Sequence, residues 1–241
     1  MKLKLFKCAL MLCLLSVGSE RGFSQAFTNL NFESASIPAG TQPGASLPIS
    51  AALPGWAASF SNATGVTDAV TQVFYNTVSL GGEAIVLNQF SPTFPGGRFN
   101  VSLFGGEDPS SGNGGSIYFS ATISQAGMVP DGTESLRVQV GPFAGVPLVP
   151  IIIMLGGETI NMVPLANGPT YTLYGGDVSG FAGHVETLSI TEPPSTLVPP
   201  SIAVIDNIVF STLPTPEPGT VALMAAGAGL FGLRRWRKGL P

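Results

Sequence analysis

The sequence predicts an all-β protein folded as a β-sandwich. Glycine and proline, 31 and 21 residues of 241, divide the chain into short segments. Many of these segments alternate apolar and polar residues, which is the period of a half-buried strand. No long stretch has the 3.6-residue apolar period of an amphipathic helix. Short alternating runs between turn residues are typical of two packed antiparallel sheets, and we expect a jelly roll.

About ten to twelve segments read as strands. In SIYFSATIS, for example, Ile117, Phe119, Ala121 and Ile123 fall on one face. The run PIIIML at 150–155 is continuously apolar, which predicts a central strand covered on both faces. The other predicted strands are FTNLNF (27–32), GWAASF (55–60), AVTQVFY (69–75), EAIVLNQF (83–90), RFNVSLF (98–104), SLRVQV (135–140), TYTLYGG (170–176), HVETLSI (184–190) and AVIDNIVFS (203–211).

The N-terminal 26 residues have the plan of a secretory signal peptide. Three lysines precede an uncharged run over residues 8–18, and a polar stretch follows. Ser24 and Ala26 are small residues suited to cleavage after Ala26. The apolar run is too short to span a bilayer by itself. We therefore expect an exported protein whose folded domain begins at Phe27.

The C-terminal end carries a second apolar segment. Residues 219–233 are uncharged, and at 1.5 Å per residue a helix of this length spans about 22 Å. Such a helix is a short transmembrane segment, and the basic tail over 234–241 is expected on the cytoplasmic side. A permanent anchor is the alternative to a removable signal. The basic residues are Arg234, Arg235, Arg237 and Lys238.

Pro216, Glu217 and Pro218, followed by this apolar segment and the basic cluster, resemble the PEP-CTERM sorting signal. The resemblance implies recognition by an exosortase-type membrane protease and secretion machinery, with cleavage near the Pro-Glu-Pro. It implies a Gram-negative bacterium that makes exopolysaccharide, and passage through the inner membrane to the cell surface or the extracellular matrix. It implies sorting rather than an activity, because the same tail is joined to diverse domains.

The charge of the exported part differs from that of the whole chain. Of fourteen acidic residues, twelve lie within residues 27–215, whereas only Arg98 and Arg137 of the ten basic residues do, so this part has a net charge of −10. Such a surface excludes nucleic acid, whose binding depends on Lys and Arg contacts to phosphate. It attracts divalent cations, although carboxylates also serve simply to keep a protein soluble. Both cysteines lie in the signal peptide, which excludes disulfides and thiol chemistry in the exported domain.

Four segments share an apolar-Gly-Gly-acid pattern, at 80–83, 104–107, 155–158 and 174–177. Two glycines followed by an acid favour a solvated turn. The alternative is that some of these acids converge to hold calcium, which takes six to eight oxygen ligands. The segment GGEDPSSGNGG is the best single candidate, because it offers Glu107 and Asp108.

The stretches NLNFE, LPGW and IDNIVFS resemble those of jelly-roll domains of the galactose-binding or carbohydrate-binding-module type. The resemblance implies that the first and last strands pair and that Glu33 and Asp206 help hold a structural calcium. Asp206 also shares strand parity with Val204 and Ile208, so we expect it on the apolar face. A carboxylate there requires a cation or several hydrogen-bond donors.

The exported part offers little for catalysis. It has no Gly-x-Ser-x-Gly motif, no cysteine and no lysine, and His184 is the only histidine. A pair of carboxylates could hydrolyse a glycoside, but twelve acids always include such a pair. Ice binding would need a flat face with regularly spaced threonines, and the sequence has no such pattern. A sugar site needs an aromatic platform, for which Trp56 and Tyr174 are the candidates, although Trp56 opens an apolar strand and fits a core position better.

The sequence thus predicts five regions: a signal peptide (1–26), a β-sandwich domain (27–211), a Pro-rich linker with the Pro-Glu-Pro motif (212–218), a transmembrane helix (219–233) and a basic tail (234–241). The expected role is that of a non-catalytic surface or matrix protein associated with exopolysaccharide. A carbohydrate-binding module, stabilised by calcium, is the alternative.

Overall fold

The computed structural model describes residues 25–62, 67–77, 84–89, 97–108, 117–143, 150–194 and 202–215. These residues form two β-sheets packed face to face, which confirms the predicted β-sandwich. The Pro-Glu-Pro motif, the apolar segment and the basic tail lie outside the described residues, as does nearly all of the predicted signal peptide. Within the described ranges, no helix is long and apolar enough to cross a membrane.

Fifteen strands and two short helical turns make up the described part of the domain. The helical turns are α1 (Ile49–Ala52) and a 3₁₀ turn (Ser179–Phe181). The strands are β1 (Ser46–Pro48), β2 (Ala57–Asn62), β3 (Thr67–Val70), β4 (Gln72–Tyr75), β5 (Ala84–Gln89), β6 (Phe99–Phe104), β7 (Gly106–Asp108), β8 (Ile117–Met128), β9 (Ser135–Pro142), β10 (Ile152–Leu155), β11 (Glu158–Thr159), β12 (Val163–Asn167), β13 (Thr172–Asp177), β14 (Val185–Glu192) and β15 (Ile202–Ser211).

One sheet has eight strands, in the spatial order β1-β4-β5-β6-β15-β9-β13-β12. The other has seven, with the order β11-β10-β14-β8-β2-β3 and with β7 paired to β8. Strands β4 and β5 pair in parallel, and the other described strand pairs are antiparallel. The last strand, β15, lies between β6 and β9 and is therefore central in its sheet.

The main core lies between the two sheets. Strand β6 shows how alternation builds it, because Phe99, Val101 and Leu103 point inward and are buried. Burying each such side chain contributes about 1.5–3 kcal/mol. The alternate residue Phe104 belongs to a second, smaller cluster on the outer face of the eight-stranded sheet. Both faces of β6 are thus covered, which explains why the whole strand is buried.

The predicted strand AVTQVFY is two strands in different sheets. Residues up to Val70 form β3 at the edge of the seven-stranded sheet, and Gln72 begins β4 in the eight-stranded sheet. The carbonyl of Thr71, between them, accepts a hydrogen bond from the backbone N–H of Ile49, 3.0 Å away. Apolar alternation continues across this break, which is why the sequence pattern did not reveal it.

Two further predictions need correction. PIIIML forms a strand, β10, but it is second from the edge of its sheet rather than central, and only one of its faces is covered, since Ile153 and Leu155 are buried but Ile152 is 40% exposed. In FTNLNF, Ala26 forms an isolated bridge to Met128, and residues 30–34 form a turn instead of a strand.

The apolar-Gly-Gly-acid segments adopt different conformations. Gly156 and Gly157 have positive φ angles of 60° and 83° and form the expected turn between β10 and β11. Gly175 and Gly176, however, lie within β13, and Gly106 begins β7, so the turn prediction was wrong for these two segments. The segment at 80–83 lies outside the described residues.

Candidate functional site

A β-bulge on β15 places Asp206. Ala203 and Ile205 point into the main core, and so does Ile208, although strict alternation would turn it to the other face. The register with β9 shifts between Asp206 and Val209, and Asn207 has a φ of 47°. Asp206 therefore lies on the opposite face from Ile205, and its expected parity with Ile208 was wrong.

Asp206 is nevertheless buried, with 1% of its surface exposed. Its Oδ1 accepts a hydrogen bond from the backbone N–H of Asn207 at 2.6 Å, and its Oδ2 has no hydrogen-bond partner among the described residues. Burial raises the pKa of this carboxyl from 3.8 to about 7; the Asn207 N–H opposes this shift, and the negative charge of Glu33 adds to it. Ionisation of Asp206 is thus costly without a further partner.

The turn at residues 30–34 brings Glu33 to the same region. The carbonyl of Leu30 accepts a hydrogen bond from the N–H of Ile208 at 3.0 Å, which fixes this turn beside the bulge. The Glu33 Oε1 accepts hydrogen bonds from the backbone N–H groups of Arg98 and Phe99, at 2.6 and 2.9 Å. The pairing of β15 with β6 ends at Ile205, which lies opposite Val101. At the start of β6, the Glu33 carboxylate therefore takes the place of β15 as hydrogen-bond acceptor.

Two aromatic residues and one asparagine hold this turn in its conformation. Asn29 and Phe32 have positive φ angles of 52° and 58°, which is uncommon for a phenylalanine. Phe32 is fully buried and lies 5.7 Å, centroid to centroid, from Trp56. The Trp56 Nε1 donates a hydrogen bond to the Asn29 carbonyl at 3.1 Å. Trp56 is therefore a core residue, 5% exposed, that supports the turn carrying Glu33.

Glu33 and Asp206 are candidate ligands for a divalent cation. Their charges interact, and the buried Asp206 Oδ2 has no described partner. A cation near both would relieve the repulsion and supply the missing partner. Calcium needs six to eight oxygens, and no group of three acidic, histidine or cysteine side chains occurs within the described ranges. Glu33 and Asp206 would thus supply only part of a calcium shell, the rest coming from backbone carbonyls, amides or water.

Glu107 and Asp108 are not part of this arrangement. Both lie on β7, which follows the last residue of β6, whereas Glu33 binds at the first residue of β6. The six residues of β6 separate the two pairs of acids by about 17 Å. The structure therefore brings Glu33 and Asp206 together and places Glu107 and Asp108 at the opposite end of the strand.

Tyr174 points between the sheets. It lies opposite Val138 on β9 and is half-buried at the wall of an apolar cavity of about 250 Å³. The other residues that line this cavity are Val138, Val140, Pro150, Ile151, Ile153 and Met162. Tyr174 thus faces aliphatic side chains, where it does not form an open platform for a sugar ring.

Sequence reasoning missed Gln125. It follows Ala121 and Ile123 on the inward face of β8 and is buried with them. Its Oε1 accepts a hydrogen bond from the Thr28 N–H at 2.6 Å, and its Nε2 donates to the carbonyls of Gly55 and Thr28 at 2.8 and 3.1 Å. The sequence pattern could have indicated this residue, because a glutamine among the apolar residues of one strand face requires hydrogen-bond partners inside the protein.

Comparison with known proteins identifies the tail but not the domain. Residues 214–238 match the family model of the PEP-CTERM protein-sorting motif. No curated protein matches the chain. The enzymatically active domain of tailspike protein 4 from bacteriophage CBA120 is similar in structure, at 10% identity over 64% of this chain and 19% of that chain, with a TM-score of 0.35. A likeness this weak transfers no activity. The sorting motif shows an exported, surface-directed protein that is processed by an exosortase, a membrane protein.

Proposed function

We propose that the β-sandwich is a non-catalytic module of the cell surface or extracellular matrix that associates with exopolysaccharide. The observation that carries this proposal is the sorting motif at residues 214–238, joined directly to a folded β-sandwich. The net charge of −10 over residues 27–215 supports it, since such a module contacts hydrated, charged polymers through exposed acids and bridging cations rather than through phosphate contacts.

The second candidate function is that of a carbohydrate-binding module stabilised by calcium. The pairing of Glu33 with the buried Asp206 favours it, because two close carboxylates fit a structural cation. Trp56 is buried and Tyr174 faces a cavity between the sheets, so neither presents an open ring. This geometry favours the first candidate, in which binding does not depend on one aromatic side chain.

Cell fractionation tests the surface destination. The full chain, produced in a bacterium with an exosortase, is expected at the surface or in the matrix. The variant Glu217→Ala with Pro218→Ala is expected to remain in the membrane fraction, and a matched control is Thr212→Ala, which lies before the motif. An unchanged distribution of the double variant would contradict the proposed sorting.

Association with polysaccharide is tested on protein released from the cell surface. The protein is mixed with the exopolysaccharide of the producing organism, with calcium or with a chelator, and sedimented. The first candidate function predicts association that persists in the variant Tyr174→Ala. The second predicts saturable binding that the chelator abolishes together with a fall in the melting temperature of the protein. Absence of binding in both conditions rules out both polysaccharide roles and leaves only the surface destination.

A further inference from the structure

The chain leaves the sandwich along β9 and remains attached to it. Ser211, the last residue of β15, lies opposite Ser135, and its carbonyl accepts a hydrogen bond from the Glu134 N–H at 2.8 Å. Two residues later the Leu213 carbonyl accepts two hydrogen bonds, from Ser135 Oγ at 2.7 Å and from Arg137 Nη2 at 3.3 Å. Arg137 Nε also donates to Ser135 Oγ at 3.3 Å, so the two donors support each other.

The contact continues to the last described residue. The methyl carbon of Thr215 lies 3.1 Å from the position that a Cβ of Gly175 would occupy, so the glycine leaves room for the passing chain. The Leu213 side chain is 60% exposed, which shows that its backbone carbonyl, and not its side chain, is what the domain holds. The sorting motif begins at Pro214, so its first two residues already lie against the domain.

This attachment leaves little free chain between the domain and the sorting motif. The next residues, Pro216 to Pro218, are the Pro-Glu-Pro itself, and the apolar segment begins at Gly219. Four residue steps from Thr215 to Gly219 span at most about 14 Å. A peptide bound in extended form uses its backbone groups on both sides of the recognised residues. The Leu213 carbonyl cannot serve the domain and the enzyme at the same time.

We propose that Ser135 and Arg137 form a latch on Leu213 that restrains the sorting motif, and that exosortase has to displace residues 212–215 from this latch before it can bind the motif fully. The proposal rests on the proposed sorting function. Ser135 and Arg137 are positioning residues. The cleavage itself, in which the acyl group passes to water or to an acceptor amine and the tail leaves as the amine product, requires nothing from them.

The rate of tail removal tests the latch. The full chain is produced with exosortase, labelled in a short pulse, and followed by the gel shift that accompanies loss of the tail. The double variant Ser135→Ala with Arg137→Ala is expected to be processed roughly fivefold faster, which is the effect of losing about one net hydrogen bond. The matched control is Gln139→Ala, on the same strand and face, because Gln139 binds Asn207 and not the linker.

A second variant separates release of the latch from loss of folding. Six Gly and Ser residues are inserted between Thr215 and Pro216, which leaves the latch intact but gives the motif its own spacer. This chain is expected to be processed as fast as the double variant, and the Ser135 and Arg137 substitutions are expected to add nothing in it. The latch is overturned if the double variant, or the chain with the insert, is processed no faster than the wild-type chain. A wild-type chain that keeps its tail in the presence of exosortase instead overturns the sorting function, and the latch with it.

Discussion

Gln125 and Asp206 are both buried polar residues beside the chain segment at residues 28–33, and they differ in how many of their polar atoms have hydrogen-bond partners. The Gln125 amide uses its oxygen and both of its donors on Thr28 and Gly55. Asp206 has one bond, to Asn207, and its second oxygen has none among the described residues. The amide thus has a neutral, complete set of contacts, and the carboxyl has an incomplete one.

The difference separates a structural site from a candidate cation site. A buried amide with all of its hydrogen bonds contributes to stability and needs nothing further. A buried carboxylate with an open oxygen, close to a second carboxylate, is costly until it is protonated or a cation arrives. We therefore expect Asp206, together with Glu33, to make the stability of the protein depend on pH and on cations. We expect no such dependence from Gln125.

The largest expected effect comes from removing the satisfied amide. Gln125→Leu removes three hydrogen bonds to Thr28 and Gly55, and at about 1 kcal/mol each we expect it to lower the free energy of unfolding by about 3 kcal/mol. Urea denaturation measures this loss, which should be the same with calcium and with chelator. Ser124→Ala, on the opposite face of β8, serves as the control. A calcium-dependent loss in Gln125→Leu would erase the distinction between the two sites.

Calcium should stabilise the protein through Glu33 and Asp206. At a concentration one hundred times its dissociation constant, the gain is about 2.7 kcal/mol. Thermal unfolding in calcium and in chelator measures it. We expect Glu33→Gln and Asp206→Asn to remove the response, and Glu107→Gln to keep it, because β6 separates Glu107 from the pair. An equal response in all three variants would place the cation elsewhere.

The third expected effect is a pH dependence in chelator. The folded protein keeps the Asp206 proton up to a pKa of about 7, whereas the unfolded chain loses it near 3.8. The folded state thus binds more protons between these values, so the free energy of unfolding falls as the pH rises from about 4 to 7. Asp206→Asn should flatten this slope, and denaturation at several pH values measures it. A slope that is as steep in the variant would assign it to another group.

The candidate site was partly predictable. Glu33 and Asp206 could be singled out from the short stretches that contain them, and the structure brings them together. The reason given for Asp206, its parity with Ile208, was wrong because the bulge at Asn207 reverses the alternation. A bulge adds one residue to one strand, and no local pattern in IDNIVFS distinguishes it from a regular strand.

The sequence by itself determined the class of fold, the strands within most of the alternating segments, and the destination of the chain. Each of these features depends on a short stretch of sequence, namely apolar alternation, turn residues, or the motif over residues 214–238. Only the tertiary structure decided which strands share a sheet, that β3 and β4 separate at Thr71, that Trp56 supports the Glu33 turn, and that Arg137 holds Leu213. The physical reason is that these contacts join residues far apart in the chain, and each depends on the packing of both sheets.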